Sequence, residues 1–273
     1  MNCLSKDKKL LVLSCLIEGN SVRSTERIAG VHRDTILRLL QTMAKKCEKL
    51  SDGIICNIHT RYIQVDEIWT YVKKKQKKLT VEERIAEEFG DQYVFVGIDA
   101  ETKLVPSYVV GKRDGRTAYI FMQNLRKRIA DRFQLTTDAF KTYLDAVDFT
   151  FGADIDYAQL KKLYNGNGAG REGYSPSDIT GTVPMPITGK PESESISTSF
   201  VERQNLTMRT QMKRFTRLTN GFSKKLRNLK WALDLHFFYY NFMRIHETLR
   251  VTPAMEAGIA DHIWSWDELL SSN

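Results

Sequence analysis

The chain has 273 residues, enough for two domains of ordinary size or one domain with a small appendage. Hydrophobic residues make up 42% and charged residues 27%, which excludes a chain left disordered by low hydrophobicity. Lysine and arginine total 41 against 33 acidic residues, and the net charge of +8 favours a polyanionic partner such as nucleic acid or an anionic membrane surface. Residues 1–50 read as helical. Leu10, Leu13, Leu16 and Ile17 recur at helical spacing before the stop signal Gly19-Asn20. Lys6, Lys8 and Lys9 precede this apolar run, but Asp7 interrupts them. The run is also too short to be the apolar part of a secretory leader ending at Cys15. A second helix is predicted from about Val22 to Ala29. The turn Gly30-Val31-His32 follows, and a third helix runs from about Arg33 to Lys46 with Ile36, Leu39, Leu40 and Met43 as its apolar stripe. Three short helices with a glycine turn before a basic last helix match a helix-turn-helix unit, here residues 1–55. The cysteines, Cys3, Cys15, Cys47 and Cys56, form no close C-x-x-C pair and have no histidine at a zinc-finger interval. A reducing cytosol therefore suits the chain better than a disulfide framework.

From residue 60 the period changes. "TRYIQVDEIWTYVKKK" reads as a long strand, rich in β-branched and aromatic residues. A charged excursion follows, then "YVFVGID" and "LVPSYVVG" as two more strands of an antiparallel meander. Next come a helix from about Arg116 to Ile129, a strand at "RFQLTTD", a helix from Lys141 to about Phe151 and a strand around "DIDYAQL". The order strand-strand-strand-helix-strand-helix-strand-helix predicts an α/β, ribonuclease-H-like domain over 56–273, a mixed five-stranded sheet flanked by helices. Residues 165–199 hold six of the 16 glycines and four of the six prolines, so a long surface loop is expected there. Helix returns through "STSFVERQNLTMRTQMKRF", and a second long helix runs from about Ser223 to Arg244 as part of a helical C-terminal extension. Trp264 and Trp266 are expected to pack back on the core. No stretch approaches the roughly 18 apolar residues of a membrane span.

Three carboxylates stand out. Asp66 sits in mid-strand, where a charge flanked by apolar residues is costly without a partner. Asp138 ends a strand, where parallel sheets place ligand-binding groups. Glu202 opens a helix just after the long loop. The proposed topology brings all three to one point, where clustered anions call for a hard cation such as Mg²⁺ or Mn²⁺. Singly, each has a structural reading, as a turn cap for Asp138 or a helix-dipole partner for Glu202. Asp99 and Glu67 compete with Asp66 for the first position. Arg209, seven residues after Glu202, falls within about 20° of the same helix face, and Lys213 follows on that face. Residues 201–230 carry nine basic residues against one acidic, which equals the whole net excess of the chain.

The segments "VDEIW", "LTTD", "FVERQNLTMRTQMKRFTRLTN" and "YYNFMRIHETLRVTPA" resemble bacterial insertion-sequence transposases of the D-D-E class, closest to the insertion-sequence-one family. The resemblance runs from about residue 10 to the C-terminus and is most specific over 198–255. It implies a metal-binding catalytic triad at Asp66, Asp138 and Glu202 holding two Mg²⁺ (or Mn²⁺) ions. It places the family's basic residue after the glutamate on Arg209. DNA contacts are further expected from Lys213 and Arg214, and on the element ends from Arg33 and Arg38 of the third helix with His32 of the turn before it. The implied activity is cleavage at the ends of its own insertion sequence and joining of the 3′-hydroxyls to target DNA. The implied setting is a homo-oligomer on DNA in the nucleoid of a bacterial cytoplasm, with no membrane. Several family members carry an N-terminal zinc finger, for which this chain has no cysteine pair. End recognition then rests on the helix-turn-helix and basic surfaces, or the copy is truncated. A structure-selective nuclease of the same fold, and a decayed or captured transposase that binds DNA without cutting it, remain open alternatives.

Overall fold

A computed structural model describes residues 4–164, 179–216 and 219–272. Three N-terminal helices, α1 (Lys6–Ile17), α2 (Val22–Ala29) and α3 (Arg33–Ile54), come first. The α2–α3 turn is made by Gly30, whose φ of 62° lies in the left-handed region that glycine enters without strain. Helix α3 extends beyond the expected end at Lys46. Its apolar face continues without a break through Ile36, Leu40, Met43, Cys47, Leu50 and Ile54, so the basic residues between them lie off the buried side.

The sheet strands are β1 (Tyr62–Val72), β2 (Gly90–Asp99), β3 (Ser107–Gly111), β4 (Gln134–Asp138), β5 (Asp156–Tyr164) and β6 (Ile179–Thr188). A short helix α4 (Val81–Ile85) lies between β1 and β2, α5 (Gly115–Arg126) follows β3, and α6 (Thr142–Phe151) follows β4. The spatial order is β3-β2-β1-β4-β5-β6. β1 pairs antiparallel with β2 and parallel with β4, β4 pairs parallel with β5, and β2–β3 and β5–β6 are antiparallel. The first five strands in this order, with helices on both faces, form a ribonuclease-H-like mixed α/β sheet.

The expectation of five strands is corrected to six. β6 falls inside the segment expected to be loop, and it carries Pro184 and Pro186 opposite Leu160 and Ala158 of β5. Proline is tolerated because β6 is the sheet edge, and the two prolines, two residues apart, place both missing amides on the same side of the strand. The β-branched residues Ile179, Thr180, Thr182, Val183, Ile187 and Thr188 supply the strand propensity that the glycine and proline count obscured. The glycine-rich part of the expected loop, 165–178, lies outside the described residues.

Alternation along β1 divides the core. Ile63 and Val65 face Phe121, Leu125, Tyr143 and Val147 of α5 and α6. Ile68 and Val72 face the other layer, formed by α7 (Ser199–Gln211) and α8 (Leu226–Phe238) through Val201, Met208, Leu229 and Leu233. Helix α7 stops at Gln211 rather than running on to Phe215. Met212 turns extended, with φ −117° and ψ 104°, and both Met212 and Phe215 are thereby buried against the sheet. α8 passes into a π-helical turn at 239–243, where buried Asn241 accepts from Val105 N at 3.0 Å and donates to Val105 O at 2.9 Å. A third apolar cluster joins Leu40, Met43 and Cys47 of α3 to Leu235 and Phe238 of α8, together with Phe242. The short helices α9 (Pro253–Glu256) and α10 (Trp266–Ser271) complete the chain. Trp264 packs edge-on against Phe238 and Trp266 stacks on Tyr239, as expected for a C-terminus folded back on the core. Among the described residues no helix is long and apolar enough to cross a membrane.

Candidate active site

The β1–β4 ladder runs from Tyr62↔Gln134 to Val65↔Thr137, so Asp66 is the next residue on β1 and Asp138 the last on β4. Where β4 ends, the flank of β1 is open, and carboxylates from both faces of β1 reach Asp138. One oxygen each of Asp66, Glu67 and Asp138 lie within 4.8 Å of one another. Glu67, weighed as an alternative to Asp66, joins it instead. Asp99 does not join this group. It closes the β2–β3 turn, accepting from Glu101 N at 2.9 Å and Thr102 Oγ1 at 2.7 Å.

Glu202 lies in the first turn of α7 and lines the same pocket, a cavity of about 630 Å³, with Asp66, Asp138, Arg113 and Lys162. Its carboxylate is outside the close trio: Oε1 takes the Lys162 ammonium at 2.6 Å and the Thr198 hydroxyl. α7 is seated by Gln64, whose side-chain oxygen accepts from Phe200 N at 2.8 Å. One turn on from Glu202, Asn205 Nδ2 donates to Asp66 Oδ2 at 2.9 Å. Also at this pocket, Arg113 donates from Nε to Glu67 Oε2 at 3.1 Å and reaches Asp138 Oδ2 at 3.4 Å, with its guanidinium over the Phe140 ring at 4.1 Å.

Burial and crowding weaken these acids. Burial, then the charge of Asp138, push Asp66 up to about 6, with Glu202 adding to the rise and Lys162 opposing it. Burial, then Asp138, push Glu67 up to about 7, against the hydrogen bond from the Tyr143 hydroxyl and, less, the guanidinium of Arg113. Asp138 is raised by burial, which the Phe140 amide, Arg113 and Lys162 only partly offset. Burial pulls the Lys162 ammonium down, but the bond to Glu202 and the charge of Asp66 outweigh it and leave Lys162 raised.

The donor set suits a hard divalent cation. Its three members are carboxylates that repel one another, and beside them the buried Asn205 Oδ1 has no hydrogen-bond partner. Lys162 and Arg113 were not singled out from sequence, since neither stands at a recognisable spacing from the triad. Asn205 was legible in principle, as it lies three residues after Glu202 on the same helix face.

The basic residues separate into different settings. His32, Arg33 and Arg38 are exposed at the start of α3, with His32 Nδ1 accepting from Asp34 N at 3.3 Å. Arg209 is half-buried on α7. Lys213 is exposed beyond the end of α7, not on its face as the longer helix required. Arg214 is half-buried and donates from Nε to Ser223 Oγ at 2.9 Å.

No protein-family model matches the chain, and no curated protein is similar to it. Among solved structures, one similar chain belongs to the simian T-cell lymphotropic virus intasome in complex with a PP2A regulatory subunit. It has 13% identity and a TM-score of 0.42, covering 87% of this chain and 70% of that one. Another belongs to the piggyBac transposase synaptic complex with hairpin DNA, at 9% identity and a TM-score of 0.37, covering 99% of this chain and 71% of that one. The likeness is coarse, and a functional reading rests on the pocket itself.

Proposed function

We propose that the chain is a metal-dependent DNA strand transferase of the D-D-E transposase class, acting on the ends of its own insertion sequence. The observation that supports this most is the meeting of Asp138, at the end of β4, with mid-strand Asp66 in a pocket onto which Glu202 of α7 also opens. Asp66, Asp138 and Glu202 are the catalytic carboxylates in this reading, and Glu67 offers a fourth. Two Mg²⁺ (or Mn²⁺) ions held there would offset the carboxylate repulsion and supply Lewis-acid chemistry for cleaving a phosphodiester and joining its 3′-hydroxyl to target DNA.

The remaining work falls to the chain. Asn205 fixes the Asp66 carboxylate through the bond to Oδ2, and Arg113 steadies Asp138 and Glu67. Lys162 holds Glu202 at the rim and presents a cation to an incoming phosphate once Glu202 turns inward. His32, Arg33 and Arg38 contact element ends through the helix-turn-helix domain, residues 1–55. Arg209, Lys213 and Arg214, of the catalytic domain 56–273, contact the DNA backbone, so affinity falls steeply with salt. Two DNA ends require two active sites, hence a homo-oligomer on DNA in a bacterial nucleoid.

The test is a strand-transfer assay on labelled oligonucleotides bearing the element ends, in Mg²⁺, with wild type and Asp138→Asn. The wild type releases a 3′-hydroxyl and joins it to target, and the variant loses turnover by about a thousandfold or more. Undiminished turnover in the variant removes the metal-site reading. Cleavage without end-specific protection or joining marks a structure-selective nuclease, and end protection with no cleavage marks a decayed or captured transposase.

A further inference from the structure

A second cavity, of about 760 Å³, lies between the N-terminal helices and the chain that follows α7. Arg23 and Arg33 reach it from α2 and α3, and Lys213, Arg214 and Lys224 from the opposite wall. No acidic residue is among the described residues lining it. Glu26, the acid nearest Arg33 in sequence on the N-terminal side, is turned to another task and accepts from Arg33 N at 3.0 Å.

Two groups at this cavity, the buried His236 and the half-buried Arg214, lack what they need. His236 is 2% exposed, and its Nε2 meets no hydrogen-bond partner. Burial, and then the charge of Arg244, bring its pKa down to about 4, so the ring is neutral at physiological pH. Arg214 is desolvated enough to pull its pKa down to about 10, with no carboxylate opposing the shift. A guanidinium removed from water without a counter-charge is costly, and an anion from outside is the direct remedy. Its planar fork matches phosphoryl oxygens. The first turn of α2, from Ser21 to Arg23, adds the positive end of a helix to the same wall. The cavity is not only polar. Phe222, whose ring stacks on Tyr71 at 5.0 Å, and Leu37 supply apolar surface against which a base can lie.

We propose that this cavity binds a nucleotide, with Arg214 and Arg33 on its phosphate and the Phe222 wall against its base. The volume suits a ligand of that size. The nucleotide is either free or the unpaired terminal residue of a DNA strand, since both offer the same phosphate and base. The proposal does not rest on the carboxylate pocket, so its failure leaves the strand-transfer reading untouched.

Isothermal titration calorimetry on the full chain, with 2′-deoxyadenosine 5′-monophosphate, deoxyadenosine and inorganic phosphate, tests it. The monophosphate binds, and deoxyadenosine binds about tenfold more weakly or worse, equivalent to about 1.4 kcal/mol. Arg33→Gln and Arg214→Gln weaken the monophosphate by about tenfold or more, while Lys127→Gln, which removes an exposed cation elsewhere, changes nothing. Should Arg214→Gln fail to fold by circular dichroism, exposed Arg33 still carries the test. In a second arm, a duplex with a one-nucleotide 5′ overhang displaces the monophosphate more effectively than a blunt duplex if the ligand is a strand end, and equally if it is a free nucleotide. An overhang duplex bound in preference to a blunt one, with that preference lost in Arg33→Gln, supports the strand-end source even where the free monophosphate is too weak to detect. The proposal is overturned if Arg33→Gln affects both ligands no more than Lys127→Gln, or if deoxyadenosine binds as well as its monophosphate.

Discussion

Asp66→Asn isolates the electrostatics of the carboxylate pocket from its chemistry. Burial and the charge of Asp138 hold Asp66 at about 6 instead of 3.8. At about 1.4 kcal/mol per unit, the ionised side chain destabilises the metal-free fold by about 3 kcal/mol above pH 7. Because the folded carboxyl is the weaker acid, the folded chain binds the proton more tightly than the unfolded chain does. Stability therefore declines as pH rises from about 4 to about 6 and then levels off. An asparagine removes the charge yet keeps an oxygen that can accept the Asn205 bond, made at 2.9 Å in the native protein. In EDTA at pH 7.5 the variant is accordingly more stable by about 2–3 kcal/mol, a rise in Tm of about 4–12 °C, and near pH 4 the two proteins melt almost together. Mg²⁺ raises the Tm of the wild type and not of the variant. Calorimetric scans across pH 4–8, with and without Mg²⁺, measure all of this. Equal melting at pH 7.5, or the same gap at both ends of the range, refutes the electrostatic account.

Arg113→Gln strips the counter-charge from Glu67, whose side chain is only 3% exposed. Urea unfolding should show a loss of about 1–2 kcal/mol at pH 8, discounted for the partial exposure of Arg113. The loss shrinks at pH 5, below the raised Glu67 value of about 7, to whatever the stacking on Phe140 contributes. An equal loss at both pH values contradicts the pairing. Lys162→Gln removes the cation bound to Glu202, so the Mg²⁺ midpoint for thermal stabilisation falls about tenfold if Glu202 is a metal ligand. An unchanged midpoint takes Glu202 out of the metal site. Asn241→Leu orphans the amide and carbonyl of Val105 in the core and costs about 2–4 kcal/mol, read as a lowered Tm. A change below about 1 kcal/mol means that the backbone finds other partners.

The amino-acid sequence alone determined what depends on local pattern. β-Branched and aromatic content marks β1 and places Asp66 in mid-strand, and the apolar stripe marks α3, although Lys45, Lys46 and Lys49 mask its run through Cys47, Leu50 and Ile54. Gly30 marks the turn before α3, and the charge count places the whole basic excess in residues 201–230. Tertiary structure decided everything that depends on which distant segments become neighbours. Pro184 and Pro186 read as loop until β6 is known to be an edge strand, because only the sheet order says which amides go unpaired. α7 reads as helix to Phe215 until burial of Met212 requires the chain to turn out of the helix. Glu67, Arg113 and Lys162 come from β1, the β3–α5 turn and β5, and no spacing links them. They meet because the parallel β1–β4 ladder stops one pair short of Asp66, which opens the flank of β1 to charges from both faces of the sheet. A strand's periodicity fixes which face each side chain takes, but the register with its neighbour fixes where the ladder ends, and that register is set by packing across more than 60 residues of sequence.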